Sequence, residues 1–216
     1  ESEINFTTLD YLPEDLSEYD VIFTILGIYC LGWNITPPGT VGSVEQQALI
    51  DFLEDGKALY IEGSNVGLDH SHGNLWDYFG CNYEDDGEIY AITKIYGINE
   101  TFAAVAKFDF PYDDNADYLV DEFTAEEGTL FLKCQEQIGR AVFYDNENYR
   151  TIVSAISLGA LHDGENTSSK TNLMARYLSF LTYDSAPHLW VSENEIDFTT
   201  QYLGYPTSKY LTLQNT

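Results

Sequence analysis

Val21-Ile22-Phe23-Thr24-Ile25-Leu26 and, further on, Ala58-Leu59-Tyr60-Ile61 are the two stretches whose reading decides the fold. Each is a continuous, mainly apolar run rather than an alternation. Such a run predicts a strand covered on both faces, as in a parallel sheet. Between them lies a Gly- and Pro-rich loop over residues 27–42, with Pro37-Pro38-Gly39 inside it. A helical pattern follows. Ser43 is placed to cap it, Gln46 stands three residues on, and Ala48, Leu49, Phe52 and Leu53 recur at helical spacing before Gly56. Strand, helix and strand in succession predict a right-handed parallel crossover.

Working outward, residues 3–8 predict a short strand and Leu12-Pro13-Glu14-Asp15-Leu16 a turn. Strands are predicted over 89–96, 102–108, 129–134, 138–144 and 149–157, with turn chemistry at Asp145-Asn146-Glu147-Asn148. Ser168 or Ser169 caps a last helix that carries Leu173, Met174, Tyr177, Leu178 and Leu181 on one stripe. Helices at two places around a mixed sheet predict an α/β fold. The expected form is a flavodoxin-like sandwich with a mixed, mostly parallel sheet and an antiparallel insertion. After Asp184-Ser185-Ala186-Pro187 the pattern turns to short β segments. The expected organisation is an α/β domain over 1–184, a linker over 185–188 and a β tail over 189–216.

The chain has 216 residues, enough for one sizeable core, and its 44% hydrophobic and 15% aromatic content excludes a disordered chain. It carries 36 acidic against 9 basic residues, for a net charge of -27. That field repels nucleic acid and anionic lipid, so neither is an expected partner. No apolar run approaches the roughly 20 residues of a membrane span. The sequence shows no signal peptide, so any export signal is expected outside it. Cys30, Cys81 and Cys134 form no C-x-x-C pair, which argues against both a zinc framework and a disulfide scaffold. Three buried thiols or one pairing among them remain open.

Several segments resemble one setting: Leu16-Ser17-Glu18-Tyr19-Asp20-Val21-Ile22-Phe23, Gln47-Ala48-Leu49-Ile50-Asp51-Phe52-Leu53, Leu59-Tyr60-Ile61-Glu62-Gly63, Tyr149-Arg150-Thr151-Ile152 and Leu173-Met174-Ala175-Arg176-Tyr177-Leu178. They are similar to the α/β domain that follows the catalytic part of large secreted bacterial peptidases and related surface proteins. Those domains resemble class I glutamine amidotransferases in fold. Trp190-Val191-Ser192 and Thr212-Leu213-Gln214-Asn215-Thr216 resemble the opening of an immunoglobulin-like domain. The resemblance covers most of residues 10–182. It implies an accessory domain in an extracellular or cell-surface protein. It also implies a strand and helix ahead of residues 3–8, so a fragment, or a sheet completed from elsewhere, is expected.

Glutamine amidotransferase-type enzymes place a nucleophilic Cys on the turn after the strand at 58–61. Here that turn reads Glu62-Gly63-Ser64-Asn65-Val66-Gly67, and its centre is Asn65, which is no nucleophile. Ser64 with His70 or His72 as base is the catalytic alternative, because a serine needs an adjacent base. His70-Ser71-His72 with Asp77 is also a weak zinc pattern, lacking a third ligand at diagnostic spacing. Cys81 precedes Glu84-Asp85-Asp86-Gly87-Glu88, and neighbouring carboxylates raise a thiol's pKa, the wrong direction for a nucleophile. His162 and His188 are isolated and read as surface residues. Asp113, Asn115 and Asp117 put oxygen ligands at alternate positions, as a calcium loop begins, but the next glycine is replaced by Tyr118. A solvated acidic turn and a looser calcium site both fit. Asn5, Asn34, Asn99 and Asn166 each begin a glycosylation sequon.

These readings lead to a non-catalytic accessory or structural module that acts in positioning, assembly or substrate contact. Its expected partners are other domains of its parent protein or neighbouring copies joined by strand pairing. No cofactor is expected apart from the calcium alternative. The rivals are a hydrolase built on Ser64 or Cys81, and a carbohydrate-binding module built on abundant tyrosine and tryptophan.

Overall fold

The computed structural model describes residues 5–9, 11–27, 41–113, 116–165, 168–182, 189–191 and 213–215. The two apolar runs form β1 (Val21–Gly27) and β2 (Ala58–Gly63), paired in parallel from Val21 beside Ala58 to Ile25 beside Glu62. Helix α1 (Ser43–Glu54) connects them and buries Leu49, Ile50, Phe52 and Leu53. Its N-cap is Gly42, one residue before the expected Ser43, and no side chain caps it. On the far side of β2 runs β9 (Arg150–Ser154), also parallel. β2 is therefore central, and all of its residues are buried.

Helix α3 (Lys170–Leu181) is capped by Ser169, whose hydroxyl accepts from Asn172 N at 3.2 Å. Leu173, Tyr177 and Leu181 recur every fourth residue and are its buried stripe. The Tyr177 ring lies 5.3 Å from Tyr60, which lies 5.0 Å from Phe23, so α3 covers one face of the parallel strands. On the opposite face Thr151 Oγ1 donates to the Tyr78 carbonyl at 2.8 Å, within the 3-10 turn Asn74–Phe79.

Beyond β9 the sheet is antiparallel. β8 (Gly139–Asp145) pairs with β9 and with β7 (Thr129–Cys134), β7 with β4 (Lys94–Gly97), and β4 with β5 (Lys107–Asp109). A branch leaves β8 through β6 (Glu122–Ala125), which carries β3 (Cys81–Asp85). The expected flavodoxin-like, mostly parallel sandwich of glutamine amidotransferase type is thus corrected. The nine strands form a curled, mixed half-barrel sheet in which only β1, β2 and β9 run parallel. The cause is local. A parallel neighbour requires a crossover of about a dozen residues or more, whereas residues 135–138 and 146–149 are tight turns that reverse the chain.

Other expectations shift as well. Residues 5–9 form no strand and are exposed. The strand expected over 89–96 begins only at Lys94, after Tyr90 with a φ of 56°. The one expected over 102–108 is confined to β5, because the chain first turns through Val105 at a φ of 60°. β3 and β6 were not anticipated.

Residues 183–216 form a separate compact unit. Within it β10 (Leu189–Val191) pairs antiparallel with β11 (Leu213–Asn215). The rest of the immunoglobulin-like expectation lies outside the described residues.

Candidate functional site

In open α/β sheets, binding sites gather where the chain leaves the carboxyl ends of parallel strands. Here that place is the turn from β2 into the short helix α2 (Val66–His70). Ser64 N donates to the Gly27 carbonyl at 3.2 Å, and the Ser64 carbonyl accepts from Asp121 N at 2.9 Å. Asn65 Nδ2 donates to Asp86 Oδ1 at 2.8 Å. Asp121 Oδ2 then accepts from Gly67 N at 2.6 Å and from Leu68 N at 3.2 Å. Glycine is required at 67 by proximity: a Cβ there would stand 2.6 Å from the Tyr83 ring and 2.8 Å from Phe123. The turn is pressed directly onto β3 and β6.

The electrostatics of this turn are one-sided. Asp121 is fully buried, and burial pushes its carboxyl up to about 8, with Asp86 and Asp69 adding to the rise and the Gly67 and Leu68 amides opposing it. Burial also raises Asp69, where Asp86 contributes, and Asp86, where Asp117 and Asp85 contribute. The nearest guanidinium is committed elsewhere. Arg140, 2% exposed, donates through one terminal nitrogen to the Val120 and Asp121 carbonyls at 2.6 and 3.0 Å. Its other terminal nitrogen donates to Glu122 Oε1 at 3.2 Å. Among the described residues the Oδ1 atoms of Asn65, Asp69 and Asp121 are buried with no hydrogen-bond partner. Burial thus favours the protonated form of Asp121 over its carboxylate.

A second carboxylate closes the end of β2. Glu62 accepts from Tyr60 OH at 2.5 Å, Leu158 N at 2.9 Å and Ser157 Oγ at 3.1 Å. Burial raises its pKa, and these three donors oppose the rise. With both oxygens engaged, it ties β2 to the segment after β9.

The residues expected to carry chemistry are not brought together. Ser64 is 2% exposed, and no hydrogen bond among the described residues joins it to His70. His70 is buried, its Nε2 accepts from Val41 N at 3.4 Å, and burial lowers it to about 4. His72 is exposed. Cys81 is a buried free thiol, pushed up to about 12 by burial and by Glu126. Cys134 is likewise buried and free, while Cys30 lies outside the described residues.

Among the described residues no group of three His, Cys, Asp or Glu side chains is arranged to hold a metal ion. Asp113 Oδ2 meets His162 Nε2 at 2.6 Å, and Asp117 Oδ1 accepts from Tyr118 N at 2.7 Å. Asn115 lies outside the described residues. The sequons at Asn5 and Asn99 are exposed, and those at Asn34 and Asn166 fall outside the description. Tyr90, Tyr112 and Tyr118 cluster, but Tyr90 is inclined by 86° and 49° to the other two, so they form no flat sugar platform. Among the described residues no helix is long and apolar enough to cross a membrane.

No family model matches the chain, and no curated protein matches it. Among solved structures, the mmIFT52 N-terminal domain is similar at a TM-score of 0.50, with 11% identity over 68% of this chain and 74% of that one. Cytoplasmic protein STM3548 from Salmonella typhimurium is similar at a TM-score of 0.50, with 15% identity over 79% of this chain and 76% of that one. At such identities the likeness is one of fold alone. These neighbours, with the half-barrel sheet, overturn the expected kinship with peptidase-associated, glutamine amidotransferase-like domains. The secreted, cell-surface setting that came with that kinship loses its support.

Proposed function

We propose that this chain is a non-catalytic module that acts by contact, positioning or assembling other parts of a larger protein. The observation that supports this reading is the turn after β2. The place where a nucleophile would stand is filled by buried Ser64 and Asn65, and Asp121 locks the following helix through two backbone amides. The neighbouring imidazole of His70 is held neutral and engaged by Val41. A general base must reach the proton it removes, and a nucleophile must reach its substrate. Neither condition is met by these groups.

The test is reactivity of the folded chain. Treatment with a fluorophosphonate and with iodoacetamide, followed by peptide mass spectrometry, is expected to leave Ser64 and Cys81 unmodified. Native labelling of either residue that disappears in His70→Ala would overturn the reading.

A further inference from the structure

We propose that the groove at the amino ends of the parallel strands binds an arginine side chain presented by a partner protein. The groove is lined by Glu54, Asp77, Tyr78, Asn146, Asn148 and Tyr149 and has a volume of about 490 Å³. That lies within the roughly 300–1,000 Å³ span of ligand sites. Three separate segments build it: the end of α1, the 3-10 turn, and the turn from β8 to β9.

The walls are held in place by their own hydrogen bonds. Tyr78 OH donates to Glu54 Oε1 at 2.8 Å, and Asn148 Nδ2 donates to the Glu54 carbonyl at 3.3 Å. Asn146 Oδ1 accepts from Asn148 N at 3.1 Å and from Tyr149 N at 2.9 Å. The Tyr78 and Tyr149 rings stand 5.2 Å apart.

The lining holds two carboxylates and no basic residue. Tyr149 is pushed up to about 12 by burial and by Tyr144, Tyr78, Glu127 and Asp77. A flat, delocalised cation suits such a place, because it stacks on an aromatic ring while its fork of donors meets a carboxylate. The chain already uses this arrangement internally. Arg150 lies 5.7 Å from the Phe180 ring centroid, and its Nε donates to Asp145 Oδ2 at 2.7 Å. A sugar is the poorer fit, since Tyr78 and Tyr149 are inclined at 41° and Tyr144 and Tyr149 at 76°. The net charge of -27 draws a basic segment toward the whole surface, and the groove selects its arginine.

This inference deepens the contact reading but rests on residues at the other end of the strands. Reactivity at Ser64 and binding at Tyr149 therefore fail or succeed separately. The experiment is an amide NMR titration of the full chain at physiological salt. The probes are acetyl-Gly-Gly-Arg-Gly-Gly-amide and its lysine and citrulline counterparts. Saturable shifts are expected at residues 54, 77–78 and 146–149, with the citrulline peptide at least tenfold weaker and the lysine peptide weaker than arginine. The double variant Glu54→Gln/Asp77→Asn should weaken binding at least fivefold while keeping its dispersed spectrum, and Glu88→Gln should leave it unchanged. Equal binding of the citrulline or lysine peptide would overturn the proposal. So would shifts spread over the acidic surface that persist in the double variant.

Discussion

Every residue of β2 is buried, whereas β5 buries only Phe108 between exposed Lys107 and Asp109. The two regions of the sheet are held by different means. In the parallel region α1 and the 3-10 turn cover one face and α3 the other, so the strands are secured by apolar area on both sides. In the antiparallel region β3 and β6 each bury a single side chain, Cys81 and Phe123. There Arg140 gathers the Val120 and Asp121 carbonyls and the Glu122 carboxylate, and Asp121 in turn gathers the Gly67 and Leu68 amides. Where strands are too short and polar to bury much area, directed hydrogen bonds from buried polar side chains take over.

The largest effect should come from setting the two means against each other. Leu59→Ala, in the parallel region and fully buried, should cost about 2–5 kcal/mol in urea unfolding through lost packing and a cavity. Arg140→Met keeps most of the side-chain volume but strands two buried carbonyls, and should cost about 3–5 kcal/mol. A cost for Arg140→Met below about 1 kcal/mol would erase the contrast, since even one stranded buried acceptor costs about that much.

A smaller loss, about 1–3 kcal/mol, is expected for Gly67→Ala, whose new methyl group meets Tyr83 and Phe123 at the seam of the two regions. An unchanged melting temperature would mean that the seam has slack.

The same contrast should show in pH. Asp121 is raised in the folded chain, so its contribution is complete below the unfolded carboxyl value of about 3.9 and is lost as pH rises to about 8. His70 has the opposite sign. Lowered to about 4, it contributes fully above its unfolded value of 6.5, and that contribution is lost as pH falls toward 4. Asp121→Asn retains an oxygen for the Gly67 amide and removes the ionisation. It should flatten the decline in melting temperature between about pH 6.5 and pH 8, and steepen the fall between about pH 6.5 and pH 4, where the two slopes oppose each other in the parent. A slope above pH 5 identical to the parent's would remove Asp121 from the account. The smallest effect is local: Val105 is exposed at a φ of 60°, so Val105→Gly should stabilise by about 0.5–1 kcal/mol, and destabilisation would disprove strain there.

The parallel region was legible because β1 and β2 are continuous apolar runs and α1 and α3 show helical periodicity; in the antiparallel region β7 emerges with its bounds intact. β3 was not, because Cys81-Asn82-Tyr83-Glu84-Asp85 has little apolar character, and backbone pairing with β6 makes it a strand. The antiparallel direction is written in the tight turns at 135–138 and 146–149, but such turns fit an antiparallel insertion on a parallel sheet equally well. At the candidate site, Ser64, Asn65 and His70 were found from their place after a strand. Asp121 was missed because it reaches Gly67 across 54 residues. The one local hint was a glycine inside a helical stretch, which marks a close backbone approach. Tyr78 and Tyr149 carried no signal, since they meet only once β9 lies beside β2.

The register of that last pair has a kinetic side. Ala58 lies beside Arg150, and the strands β3 to β8 of the same sheet fall between them in the chain. As the polypeptide leaves the ribosome, β2 therefore emerges with β1 as its one partner and waits while six further strands are synthesised. Pairings so distant must close a long loop before they gain anything, which slows folding. The strand that joins the two regions is the last of the sheet to be made. Until it arrives, the edge of β2, buried along its whole length in the finished sheet, stands open to mispairing.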